Sequence, residues 1–304
     1  MPARPPRPAR LVAIGFAAVL LGGCGAPGVA ATPPAGPSQP RVHFVTPLAT
    51  AIAPAPQVPF GLPNPALDGV AERIGEATDA AAARGAQISV TVLDRSTGQM
   101  LSNDTATTMA IASVAKLFIA DDVLHSGPLA PEDRAQLDAM LRSSDDNAAE
   151  DFWTRNGGDA IITRVAGRYG LGATTPGFDG RWWNTVSTAT DLVRYYDMLL
   201  SGSGGLTVSE ANIIVDNLAQ STPTGIDGYP QRFGIPDGLF AEPVAVKQGW
   251  MCCVGADWMH LSTGVIGPDR RYVMAIGALQ PGDDATARAT ITDAVATIFP
   301  TGRI

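Results

Sequence analysis

Lysine is almost missing from this chain: its 304 residues include Lys116 and Lys247, against nineteen arginines. Arginine cannot serve as a base, because its guanidinium stays protonated, whereas a buried lysine can lose its proton. Either a codon bias toward arginine left two remnants, or the lysines stand where a tunable ammonium is needed. Cysteine is also scarce. Cys24, Cys252 and Cys253 are the three present. The adjacent pair can close on itself as a vicinal disulfide or stand as one buried and one exposed thiol. Two sulfurs without a nearby histidine or further cysteine make a poor metal site, and neither a metal nor another cofactor is expected. There is no Gly-x-Ser-x-Gly, so a Ser-His-Asp hydrolase has no nucleophile elbow. No basic run is present to bind nucleic acid or an anionic bilayer by charge.

The N-terminus reads as targeting rather than fold. Arg4, Arg7 and Arg10 precede an apolar stretch over 11–21 that is too short to span a bilayer. It ends in Leu21-Gly22-Gly23-Cys24, which resembles a bacterial lipobox. That resemblance implies cleavage before Cys24 and lipid attachment to its sulfur, making residues 1–23 a signal peptide. An uncleaved anchor or an ordinary secretory signal are the alternatives, and each exports the chain. Cleavage removes three of the 21 basic side chains and none of the 29 acidic ones, taking the formal charge from −8 to −11. Membrane contact would then rest on the lipid at Cys24. Residues 24–65, rich in proline and alanine and containing His43, read as an extended tether. Residues 66–304 are long enough for one domain with an elaborate core or two lobes.

Periodicity predicts a helix over 66–84, then a hairpin of strands over 88–93 and from 99 onward. Helical patterns dominate 112–220, where Asp121 and Asp122 read as solvent-facing, and a long polar loop covers 221–242. Strands follow over 244–249, 257–266 and 271–278, with a closing helix over 284–298. Strands at both ends suggest one sheet assembled from distant segments, with a cleft where the helical insertion meets it.

Three patterns carry chemistry. Ser113-x-x-Lys116 begins a buried helix, so the lysine returns to the serine hydroxyl one turn away. A serine is a weak nucleophile until a base takes its proton, and a desolvated lysine beside a second cation can be that base. Ser143-Ser144-Asp145-Asp146-Asn147 follows, and Lys247-Gln248-Gly249 lies on a late strand. In this order the motifs resemble the Ser-x-x-Lys, Ser-Asp-Asn and Lys-Thr-Gly signatures of the serine β-lactamases and penicillin-binding D-alanyl-D-alanine peptidases. The resemblance covers about residues 66–300. It implies an α/β (α+β) fold of that type: an antiparallel sheet flanked by terminal helices, with an all-helical lobe inserted over about 105–240. It further implies Ser113 as nucleophile, Lys116 as its base, Ser144 as proton shuttle and Lys247 as the cation beside them. The backbone N–H groups of Ser113 and Met251 would form an oxyanion hole. Asp146, Asn147, Gln248 and Gly249 would border the substrate.

The departures from that family bear on activity. Asp146 falls where the family has asparagine, unless a register slip presents Asn147 instead. Ionised aspartate only accepts hydrogen bonds, and beside Lys116 it raises the lysine pKa. Gln248 replaces a hydroxyl that helps hold a substrate carboxylate. The stretch 170–191 contains no glutamate to activate a deacylating water; its acids are Asp179 and Asp191. The leading expectation is a lipid-anchored serine acyl hydrolase or transferase on the extracytoplasmic face of the membrane, acting on a peptide, ester or amide. The competing class is a silent lipoprotein that binds a peptidoglycan fragment or protein partner in the same cleft. A thiol-redox role for Cys252 and Cys253 is a third. Trp182 and Trp183 could line a groove or cover a core edge, and His260 reads as a packed strand histidine.

Overall fold

The computed structural model describes residues 67–103 and 106–304. The expected signal peptide, Cys24 and the expected tether lie outside the described residues. All described residues fall in one compact unit, 58–304. Val70, Ile74, Ala77 and Ala81 form the buried stripe of helix α1 (Val70–Ala83), which stops before Gly85 at φ 79°. Strand β1 (Gln87–Asp94) is buried at every position after the first, which makes it an interior strand rather than a one-sided one. It turns back into β2 (Gln99–Ser102), and β3 (Met109–Ala110) leads to a 3-10 turn over Ala112–Val114.

Helices α2 (Ala115–His125), α3 (Pro131–Arg142), α4 (Asp146–Arg155) and α5 (Asp159–Tyr169) follow. The short β4 (Val186–Ser187) pairs with β3, and α6 (Ala189–Ser201) and α7 (Val208–Ala219) complete the helical lobe. After the short α8 (Ile235–Gly238), the chain runs through β5 (Val244–Val254), β6 (Asp257–Ile266) and β7 (Tyr272–Pro281) into α9 (Asp284–Ile298). The main sheet is antiparallel throughout, in the order β2-β1-β7-β6-β5. One face packs Val90 and Ile276 against Ile74 and Ile291 of α1 and α9; the other packs Leu261 and Ala275 against Phe118 and Leu192 of the helical lobe. Among the described residues, no helix is long and apolar enough to cross a membrane.

Helix α2 is buried from Ala115 through Leu124, so it has no polar face to give to water. The expectation that Asp121 and Asp122 face solvent is therefore wrong. Asp121 is sealed among Arg168, Tyr169 and Tyr195, and Asp122 accepts two hydrogen bonds from Arg164 at 2.9 and 2.6 Å. Burial pushes the Asp121 carboxyl up against the pull of those partners. The cations sit one turn apart on α5, a pairing between helices that periodicity within α2 does not reveal.

His260 of β6 is fully buried, and its Nε2 lies 2.7 Å from the Tyr229 hydroxyl. Burial, with a smaller push from Arg288, lowers it from 6.5 to about 4. Because the folded value is depressed, its contribution to stability is complete above pH 6.5 and is lost as pH falls toward 4. The loss amounts to roughly 3 kcal/mol by linkage. Urea unfolding between pH 6.5 and 4 should show this decline, and His260→Phe should flatten it.

Candidate active site

Because the 3-10 turn runs directly into α2, Ser113 and Lys116 lie one helical turn apart, and Lys116 Nζ donates to Ser113 Oγ at 2.9 Å. The turn is entered through Ala112 at φ 44°, a left-handed conformation that costs a non-glycine residue. It nestles against β5 at Gly249. A Cβ there would come within 2.6 Å of the Ile111 carbonyl oxygen and 3.4 Å of the Val114 nitrogen. Only glycine lets the strand approach the nucleophile turn this closely.

Ser144 also holds a left-handed backbone, at φ 58°. Its neighbours fix it there. Asp145 caps α4 by accepting from Asn147 N at 2.9 Å and Ala148 N at 3.2 Å, while the Ser143 carbonyl accepts from Ile226 N at 2.7 Å. The result turns both the Ser144 carbonyl and its hydroxyl toward Lys116 Nζ, at 2.8 and 3.0 Å. From the other side Lys247 Nζ reaches Ser144 Oγ at 2.9 Å and its neighbour Gln248 O at 3.1 Å. An unbroken chain of contacts therefore runs from Ser113 Oγ through Lys116 Nζ and Ser144 Oγ to Lys247 Nζ.

Both lysines are buried, and burial favours the neutral amine. Burial holds Lys116 below the ordinary lysine value, although Asp146 Oδ1, 2.5 Å away, pulls it upward. The Asp146 side chain is 69% exposed, so water screens its pull and desolvation prevails. Lys247 is pushed down further, by its own burial and then by the charge of Lys116.

The second motif is in the Asp146 register. Asp146 contacts Lys116 and lines the cleft, while Asn147 is exposed on the first turn of α4 and is not among the residues that line it. Gln248 is corrected. Strand alternation turns it away from Lys247 and Gly249, and its buried amide donates to the carbonyls of Gln231 at 3.1 Å and Phe233 at 2.6 Å. It ties down the loop rather than facing a ligand. Met251 lines the cleft. Cys252 and Cys253 are joined to each other and exposed at the β5–β6 turn. Asp179 binds Asn184 at 2.9 Å and Arg181 at 3.5 Å, and Asp191 binds Ala173 N and Thr174 Oγ1, so neither acid lines the cleft.

The same stretch instead lays the Trp182 ring beside Lys116 Nζ, 4.7 Å from its centroid, with the indole N–H donating to Glu150 at 3.2 Å. Trp182 is both core cover and cleft wall, and Trp183 meets it edge-on at 5.1 Å. Sequence reasoning missed Asp227, which also lines the cleft of about 200 Å³. Asp227 lies in the stretch read as a long polar loop, 221–242, where a single acid carries no local signal of a site.

No protein-family model matches the chain. The lipoprotein LppW of Mycobacterium tuberculosis is 64% identical over 262 residues, spanning 84% of this chain and 83% of the relative, and its counterpart in Mycobacterium bovis matches equally. This chain belongs to the LppW family. Among solved structures, a β-lactamase from Chitinophaga pinensis superposes with a TM-score of 0.61 at 14% identity, covering 77% of this chain and all of that one. A class A β-lactamase from Mycobacterium abscessus gives 0.60 at 19%, covering 76% and 98%. At such identities the likeness shows the fold alone, and this chain has the β-lactamase fold.

In this LppW-family chain, no acid from 170–191 lines the cleft, and Trp182 covers the flank of Lys116 from that side. The geometry can deprotonate Ser113, but that stretch supplies no carboxylate there to activate a water. Asp146 opposes the base, so Asp146→Asn should lower the Lys116 pKa further. The rising limb of Ser113 labelling by a fluorophosphonate, followed against pH by intact mass, should then move to lower pH by about one unit. A purely structural role for Asp146 would change the amplitude without moving the limb.

Proposed function

We propose that this chain is a serine acyl-transferring enzyme of the cell envelope, held by lipid at Cys24 on the extracytoplasmic face and acting on a peptide, ester or amide. The observation that carries this reading is the chain of contacts from Ser113 through Lys116 and Ser144 to Lys247. Lys116 as a neutral amine takes the Ser113 proton as Oγ bonds to the acyl carbon. The bond to the leaving group breaks, and that group receives a proton relayed through Ser144, with Lys247 balancing charge. The backbone N–H groups of Ser113 and Met251 stabilise the oxyanion. Because no residue of the 170–191 stretch serves as a water-activating base, the acyl-enzyme is long-lived. Transfer to an amine or slow hydrolysis follows, rather than efficient β-lactam turnover.

A second reading, a silent binding cleft, is favoured by two observations. Asp146 pairs with the would-be base, and the Gln248 amide is committed to the loop.

Intact mass after exposure to a fluorescent penicillin and a fluorophosphonate separates the two. Acyl transfer predicts an adduct on the unaltered chain, none on Ser113→Ala, and labelling at least ~100-fold slower in Lys116→Arg. No adduct with either probe between pH 6 and 9 leaves the binding reading in possession of the cleft.

A further inference from the structure

Asp146 on α4 and Asp227 in the 221–242 loop line the same cleft as Ser113, together with the side chains or backbone of Trp182, Trp183 and Trp250. Among the residues lining it there is no arginine, lysine or histidine. The two acids come from separate segments that fold together because Ile226 N bonds the Ser143 carbonyl, one residue before Ser144. Each carboxylate uses one oxygen locally. Asp146 Oδ1 takes Lys116, and Asp227 Oδ1 accepts from Tyr229 N at 3.0 Å. Among the described residues neither Oδ2 has a hydrogen-bond partner, and both side chains are exposed to solvent.

We propose that this cleft selects a ligand carrying an ammonium or other organic cation, received between Asp146 and Asp227 against indole rings, and disfavours carboxylate-bearing ligands. A carboxylate entering here meets two fixed negative charges. Of the cations near it, two lie beneath the surface with their donors engaged, Lys116 among Ser113, Ser144 and Asp146, and Lys247 on Ser144 and the Gln248 carbonyl, while the exposed Arg181 over the Trp183 ring is paired with Asp179. Desolvation lowers the pKa of both lysines, which weakens them further as anion hosts. Gln248, the residue whose amide might have bound a carboxylate, has its donor turned to the loop.

The aromatic wall agrees. Trp182 spends its N–H on Glu150, so its ring is what it offers, and Lys116 Nζ stands 4.7 Å from that ring. Trp183 carries the Arg181 guanidinium at 5.0 Å. One indole of the wall thus already carries a guanidinium, as the negative face of an indole favours, and the other stands beside the Lys116 amine.

This names a substrate class for the acyl-transfer reading, yet a cation can bind whether or not Ser113 reacts. The test uses the full chain in detergent, titrated with benzyltrimethylammonium, benzyl alcohol and benzoate and followed by tryptophan fluorescence and calorimetry. The cation should bind ~10-fold or more tightly than benzoate, and added salt should weaken it, as expected for partly exposed charges. Asp227→Asn and Asp146→Asn should each cut its affinity ~3- to 10-fold, while Asp179→Asn, whose carboxylate does not line the cleft, should leave it unchanged. If one carboxylate variant misfolds, the other still reads the effect. No saturable binding of the cation, or benzoate binding as well as the cation, overturns the proposal. Cation binding that persists in a chain inert to both covalent probes would retain this inference and remove the acyl-transfer reading. Covalent labelling that proceeds equally fast with ammonium- and carboxylate-bearing phosphonates would do the reverse.

Discussion

Two lysine ammonium groups meeting on one serine hydroxyl set the terms for everything around them. Lys116 and Lys247 both reach Ser144 Oγ, and both are almost wholly removed from water. Burying one charge is costly and burying two of like sign is costlier, so the fold must either compensate them or drive off a proton. It does some of each. Asp146 supplies a partly exposed counter-charge to Lys116, and desolvation lowers both lysine pKa values. A lysine whose pKa is lowered by burial is what a serine nucleophile needs as its partner. The energetic burden of the site and its chemical capacity therefore have one origin.

That arrangement explains features elsewhere that look like isolated irregularities. Ala112 and Ser144 hold left-handed backbones because the turn before α2 and the entry to α4 must aim two serines at one amine. Gly249 is required where β5 presses on the nucleophile turn. Helix α2, buried from Ala115 through Leu124, forces Asp121 and Asp122 to find cations on α5, which pins the helix that carries Lys116. The strain at Ala112 and Ser144 and the pairing of Asp121 and Asp122 all bear on the position of one ammonium nitrogen.

The likeness to class A β-lactamases stops at the fold, and the surroundings of the lysines differ from what the motifs suggested. The 170–191 stretch brings an indole to Lys116 instead of a carboxylate, and the 221–242 loop brings an acid into the cleft. Under the proposed reading these two features bear on what can enter and what can leave, and neither disturbs the Ser113–Lys116–Ser144–Lys247 chain. A fold can keep its proton-moving parts while its walls are rebuilt for a different ligand.

Much of this was legible in the order of residues. The helix of 284–298 and the strand of 257–266 emerged at those bounds, because each is a long segment set between turn residues, Gly282 and Pro300 for the helix and Gly255 and Gly267-Pro268 for the strand. The two lysines and their serines were legible for a chemical reason: a chain that uses arginine almost everywhere keeps lysine at both of these buried positions. What the sequence left open was direction and partnership. Whether Asp146 or Asn147 meets Lys116 depends on where the α4 cap begins. Whether Gln248 faces the cleft depends on strand parity, and whether Asp227 reaches the cleft depends on a loop anchored to a helix end about eighty residues earlier. Local pattern determines which elements form and which residue types they carry. Only packing decides which side chains share a space, because that requires segments far apart in the chain to settle against one another.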